Sequence, residues 1–278
     1  SSAASDVYKR QAENHASLID GCRLARARTV VVPHADLDAI DTALDCVTTD
    51  RALVLTEGVY SMGGDVAPVG ELVEIAHRHG ALVVVDDAHG IGTVGPTGRG
   101  ATEELPASQR PDVLLGTASK ALGVEGGFAC VDETLATLMR NCARGYVFSS
   151  APSPVVAAGV AAAVEYLRTD TRRVCSLQAN VAQTRLLLAE ADLIPPSAAH
   201  DRGPIIRIPV GPESRAVAAQ EELARRGLMV GAIRYPAVAR GDAILRICLT
   251  ARHTDEHIRI LVTSLREVLD GALSDAPR

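Results

Sequence analysis

The run Ala81-Leu82-Val83-Val84-Val85-Asp86-Asp87-Ala88-His89 changes abruptly from valine-rich and apolar to charged. A short, continuous, β-branched run of this kind is the pattern of a parallel strand covered on both faces. A second apolar run, Val113-Leu114-Leu115-Gly116-Thr117, ends just before another reactive group, in Ala118-Ser119-Lys120. Ligands of open α/β sheets bind beyond the carboxyl ends of strands, so the two runs bring their chemistry to one edge.

Outward from this pair, residues 29–32, 52–56 and 127–131 also read as strands, with helical patterns over 36–46 and 69–79. Alternation of strand and helix predicts an α/β fold with a mostly parallel sheet. Pro68 suits the first turn of its helix and Gly80 the stop after His79. Alanine-rich helices are expected over 152–168 and 171–191, and the Pro195-Pro196-Ser197 loop follows them. Segments 203–210, 214–227, 228–233, 243–249 and 254–269 then predict a smaller carboxyl-terminal α/β domain. The boundary is expected near residue 170, giving a large domain over 12–169 and a small one over 170–278. Ser1 to Gln11 matches no element start and resembles the translation of a transposon end used to tag DNA libraries. It is expected to be a non-native leader on a chain lacking the front of its large domain.

Composition narrows the function classes. The 278 residues are 47% hydrophobic, enough to bury a sizeable core, and the net charge of −6 with scattered basic residues leaves no footprint for nucleic acid or an anionic membrane. Apolar stretches such as 155–164 are too short to span a bilayer. Six cysteines without C-x-x-C or metal-ligand spacing are expected to be buried free thiols in a reducing, cytoplasmic compartment, and no metal is expected.

Asp86 and Lys120 together suit pyridoxal phosphate. That cofactor needs an amine to bond its aldehyde carbon and a carboxylate to keep its pyridine nitrogen protonated. His89, three residues past Asp86, is placed to reach the phenolic oxygen of the ring. Taken separately, such a carboxylate is commonly a cap and such a lysine a solvated surface charge. Their joint order and their strand contexts favour the cofactor.

The blocks Asn14-His15-Ala16-Ser17-Leu18-Ile19-Asp20-Gly21, Thr56-Glu57-Gly58-Val59-Tyr60-Ser61-Met62, Asp86-Asp87-Ala88-His89-Gly90, 95–100 and 117–127 resemble the α-oxoamine synthases. These are pyridoxal phosphate enzymes of the aspartate aminotransferase fold (fold type I), and the resemblance runs from Asn14 to the carboxyl end. It implies that His15 stacks on the cofactor ring, that Ser61 lies near it, and that Thr117 binds the phosphate. By the same resemblance Ser150 reaches the phosphate of a neighbouring subunit, so that the active site is shared in a homodimer. Arg246 matches the clamp for the substrate carboxylate, a role that suits a planar, permanently charged side chain. The implied reaction condenses a small amino acid with an acyl-CoA or acyl thioester to an α-amino ketone. A glycine-specific ligase using an acetyl thioester, an aminotransferase and a non-catalytic subunit are the alternatives. The chain departs from the family in having Ile244 where a second arginine is common, and the chemistry assigns no role to Glu125.

Overall fold

A computed structural model describes residues 7–11, 13–47 and 51–274. The chain divides into two compact units, Ser1–Ser61 with Val66–Thr171, and Met62–Asp65 with Arg172–Arg278.

The first unit contains β1 (Val7–Gln11), α1 (Ala16–Ala25), β2 (Arg28–Val32), α2 (Leu37–Asp45), β3 (Ala52–Glu57), α3 (Val69–Arg78), β4 (Leu82–Asp86), β5 (Val113–Thr117) and β6 (Gly127–Cys130). Three helices follow, α4 (Glu133–Cys142), α5 (Arg144–Val147) and α6 (Pro154–Thr169). The strands form one sheet in the order β2-β1-β3-β4-β5-β6. All neighbours are parallel except β5 and β6, so the sheet is mostly parallel, as its alternating pattern predicts. Register sets Glu57 opposite Asp86 and Asp86 opposite Leu115, which brings the carboxyl ends of β3, β4 and β5 to one level.

The main core of this unit lies where α2 and α3 cover one sheet face: Ile40, Leu44, Leu72, Val73 and Ala76 pack with Val54, Val83 and Val85. The other face carries a small cluster of Leu18, Cys22 and Leu55, with Val84 and Leu115 partly buried beside it. The valine run is therefore not equally covered on both sides. Val83 and Val85 are fully buried, whereas Leu82 is 40% exposed. A continuous apolar run does not reveal how much cover each face receives. Asp36 and Asp132 cap α2 and α4 by accepting the Ala39 and Leu135 N–H groups at 2.8 and 2.7 Å. Pro68 is the residue before α3 rather than a member of its first turn.

In the second unit α7 (Arg172–Glu190), β7 (Ile205–Gly211), α8 (Glu213–Arg225), β8 (Gly231–Ile233), β9 (Ala243–Cys248) and α9 (Asp255–Ser274) build the expected small α/β arrangement. Its sheet, ordered β7-β9-β8, is antiparallel. Its core joins Leu177, Val181 and Leu188 of α7 to Ile206, Ile208, Leu245, Leu223 and Leu265.

Two further expectations are corrected. Val7–Gln11, read from sequence as having no element, pairs in parallel between β2 and β3, and its Lys9-Arg10-Gln11 sequence had hidden it. Ser1–Asp6 and Ala12, the rest of the presumed leader and the presumed native start, lie outside the described residues. The cysteines are not mostly buried either: Cys22 is, but Cys46, Cys130, Cys142, Cys175 and Cys248 are exposed. No helix among the described residues is long and apolar enough to cross a membrane.

Leu72, fully buried, and Leu24, 83% exposed, set up a packing comparison. Leu72→Ala is expected to lower unfolding stability by about 2–5 kcal/mol. Leu24→Ala should change it by less than about 0.5 kcal/mol, as urea unfolding of both variants will show.

Candidate active site

The site is built on the carboxyl ends of β3, β4 and β5. At the end of β4, half-buried Asp86 accepts the Ala88 N–H on Oδ1 at 3.1 Å, which starts a tight turn. The Asp87 carbonyl accepts from Gly90 and Ile91 at 3.1 and 3.0 Å, and the turn so closed carries half-buried His89. The Asp87 N–H donates to Leu115 O at 2.9 Å, stitching this turn to β5.

β5 ends at Thr117, and a tight loop follows. The Thr117 hydroxyl lies 3.1 Å from Gly126 O and 2.8 Å from Ser119 Oγ, and it accepts the Ser119 N–H at 3.2 Å. Ala118 also donates to Gly126 O, and Gly123 donates to Lys120 O, at 2.9 and 3.0 Å. Gly123 and Gly126 hold positive φ values of 67° and 112°, which their lack of a side chain permits. The loop presents Lys120 at the surface. Adjacent parallel strands thus bring Asp86, His89, Thr117 and Lys120 to the same sheet edge, as the two apolar runs predict.

β3 contributes a group to which the sequence reading assigned no role. Glu57, its last residue, is 3% exposed. Its Oε1 accepts the His15 N–H at 2.6 Å and its Oε2 accepts the Ser61 N–H at 3.0 Å. His15 is itself the cap of α1. Its Nδ1 accepts the Ser17 N–H at 3.2 Å, and because that amide can only donate, the neutral ring carries its proton on Nε2. Asn14 anchors the same segment by donating to Leu55 O at 2.9 Å. The signal that exposed Asp86, an acid directly after an apolar run, was present for Glu57 as well.

Burial pushes the Glu57 carboxyl up to about 7, and the neighbouring Asp86 charge adds to the shift, against the pull of the His15 and Ser61 N–H groups. Asp87 is also pushed up to about 7, first by burial and then by Asp86, while the Ala101 and Gly90 N–H groups oppose the change. Asp87 is fully buried, and its Oδ2 accepts the Ala101 N–H at 2.8 Å. Three glycines make room for this carboxyl. A methyl group on Gly58, Gly90 or Gly100 would lie 2.2, 2.0 or 1.8 Å from one of its oxygens.

Ser150 is exposed in the segment between α5 and α6. Arg246 belongs to the second unit, half-buried on β9, where it lies opposite Arg207 and Gly231 and its Nη1 is 3.0 Å from Cys248 Sγ. Ile244, at the family's other arginine position, is 1% exposed.

Comparison with known proteins places this geometry in a class. The profile of the family described as aminotransferase class I and II matches residues 11–265, and the chain belongs to that family. It is 99% identical over 267 residues to a biotin biosynthesis bifunctional protein BioWF of Cutibacterium acnes, an alignment covering 96% of this chain and 40% of that protein. It is 44% identical over 266 residues to an 8-amino-7-oxononanoate synthase of Halorhodospira halophila, covering 95% of this chain and 64% of the relative. Among solved structures, a serine palmitoyltransferase of S. paucimobilis with a bound PLP-myriocin aldimine superposes with a TM-score of 0.90 at 29% identity. That match covers 97% of this chain and 68% of the other.

Both raised carboxyls bind protons more tightly folded than unfolded. Their ordinary values are 4.5 for Glu57 and 3.8 for Asp87, so each favours folding most at low pH and loses that contribution as pH climbs towards about 7. Stability is therefore expected to fall between pH 4.5 and 7.5. Asp87→Asn, which keeps an acceptor for Ala101, should flatten that fall when urea midpoints are measured across the range.

Proposed function

We propose that this chain carries the catalytic residues of a pyridoxal phosphate-dependent α-oxoamine synthase of the 8-amino-7-oxononanoate synthase type. It joins a small amino acid, alanine, to an acyl-CoA or acyl thioester. The amino acid Cα bonds to the acyl carbon, the thiol leaves, and the amino acid carboxylate departs as carbon dioxide. One observation supports the reading above the others: β4 ends at Asp86, and its parallel neighbour β5 runs at the same edge into the loop that carries Lys120. The family match and the two named relatives support it.

The residues fit the cofactor by donor type. Asp86 offers a carboxylate whose Oδ1 is already oriented by Ala88, Lys120 offers an amine on an exposed loop, and Thr117 and Ser119 offer hydroxyls beside it. When bound, pyridoxal phosphate supplies an electron sink for the pair left on the substrate Cα. Asp86 would hold the pyridine nitrogen protonated, and Lys120 Nζ would hold the aldehyde carbon and serve as the base for the α-proton. His15 would cover the ring face, His89 and Ser61 would serve its polar edge, and Thr117 would serve the phosphate. Arg246 binds the amino acid carboxylate as a bidentate donor.

The working unit is a homodimer in the cytoplasm, with Ser150 of one copy completing the phosphate site of the other. Exposed Tyr146, Phe148 and Val155 around Ser150 support a protein partner on that flank.

With alanine and a series of acyl-CoA donors of increasing chain length, free thiol release is the diagnostic. Faster release with glycine and acetyl-CoA identifies the ligase instead, and amino-group exchange without thiol release identifies an aminotransferase. Lys120→Ala is expected to slow release by about 10³-fold or more. Arg246→Ala should raise KM for the amino acid by about 10- to 100-fold.

A further inference from the structure

We propose that Glu57 is a positioning residue of the ring site: its carboxylate takes the backbone N–H of His15 with one oxygen and that of Ser61 with the other, fixing both segments to the strand end that faces Asp86. The inference rests on the reading of the site as a pyridoxal phosphate site and adds to it a residue that touches neither cofactor nor substrate.

The geometry is specific in three respects. Glu57 and Asp86 are register partners at the ends of β3 and β4, so whatever Glu57 holds is referenced to the carboxylate assigned to the pyridine nitrogen. The two N–H groups come from distant parts of the chain, 42 residues before Glu57 and four after it. Both carboxylate oxygens are committed, at 2.6 and 3.0 Å, so a side chain with a single acceptor cannot satisfy both donors.

His15 shows why a tether is needed. Its ring is exposed, and the cap of α1 fixes its Nδ1 only against Ser17, a residue of the same segment. Asn14 and Glu57 tie the start of that segment to β3 by hydrogen bonds, through Leu55 O and the His15 N–H respectively, beside the packing of Leu18 and Cys22 on Leu55. Ser61, by contrast, is 5% exposed and follows the Glu57-Gly58 turn, where the Gly58 N–H donates to Asp86 O at 2.8 Å. One carboxylate thus spans an exposed ring-covering group and a buried hydroxyl, and sets the gap between them. Glu57 is 3% exposed and Ser61 5%, so at the Glu57 carboxylate and the Ser61 amide water competes poorly with the bridge.

A Gln at position 57 keeps the shape but offers one acceptor, and its amide would oppose an N–H donor at the other end. The test uses the full chain with pyridoxal phosphate as probe, read by binding affinity and by visible circular dichroism, which reports how the ring is held. Glu57→Gln is expected to unfold within a few degrees of the parent when cofactor-free, yet to bind at least about 10-fold more weakly, with an altered dichroic band. Equal affinity with an unchanged band overturns the proposal and leaves the functional reading standing. Failure of the unsubstituted chain to bind pyridoxal phosphate overturns the functional reading and the proposal with it. If Glu57→Gln does not fold, amide hydrogen exchange on the unsubstituted chain decides. Protection of His15 and Ser61 rising together by about 10-fold on adding pyridoxal phosphate supports the bridge, and protection of only one, or of neither, overturns it.

Discussion

Parallel pairing of β3, β4 and β5 in a fixed register is the constraint on which the site depends. It brings three strands to an end at one level, so that acids separated by some thirty residues of sequence become neighbours. Once Glu57, Asp86 and Asp87 stand together, their environments must differ, because adjacent negative charges in low dielectric repel strongly. The fold resolves this by geometry. Asp86 is left half-buried at the mouth, while Glu57 and Asp87 are withdrawn and tied to backbone N–H groups. The carboxylate proposed to serve the cofactor is the one of the three that is not buried.

Much of this was legible in the sequence where burial and chemistry coincide. Apolar runs that end in charge located β4 and β5, and with them Asp86, His89, Thr117 and Lys120. Helices α2, α3 and α7 announced themselves by periodicity or length. The elements that were missed lack such contrast. α1 buries only Leu18 and Cys22, and α4 buries none of its residues, although Leu135, Leu138 and Met139 fall at helical spacing on it. β1 carries Lys9, Arg10 and Gln11 and is recognisable only through its pairing. Glu57 carries the same signal of an acid at the end of an apolar strand, but its part in the site, accepting two backbone N–H groups, is not legible, because no residue type records where distant amides will fall.

The exposed cysteines and the unevenly covered valine run share a cause. Residue type reports a preference for burial, but the cover available depends on which helices pack where. α2 and α3 lie over one face of the first unit's sheet, and α1 shields only a patch of the other.

The pocket around the Asp87 carboxyl has an evolutionary corollary. Gly58, Gly90 and Gly100 come from three separate segments, yet each is held to glycine by the same two oxygen atoms. A side chain can enter at Gly58 or Gly90 only after Asp87 has become smaller, Gly100 is held as well by its φ of 97°, and a smaller residue at 87 would leave the Ala101 amide without its acceptor. The four positions therefore form a ratchet: single-step substitution is blocked from every side, so this corner of the site is expected to drift more slowly than the chemistry alone would require.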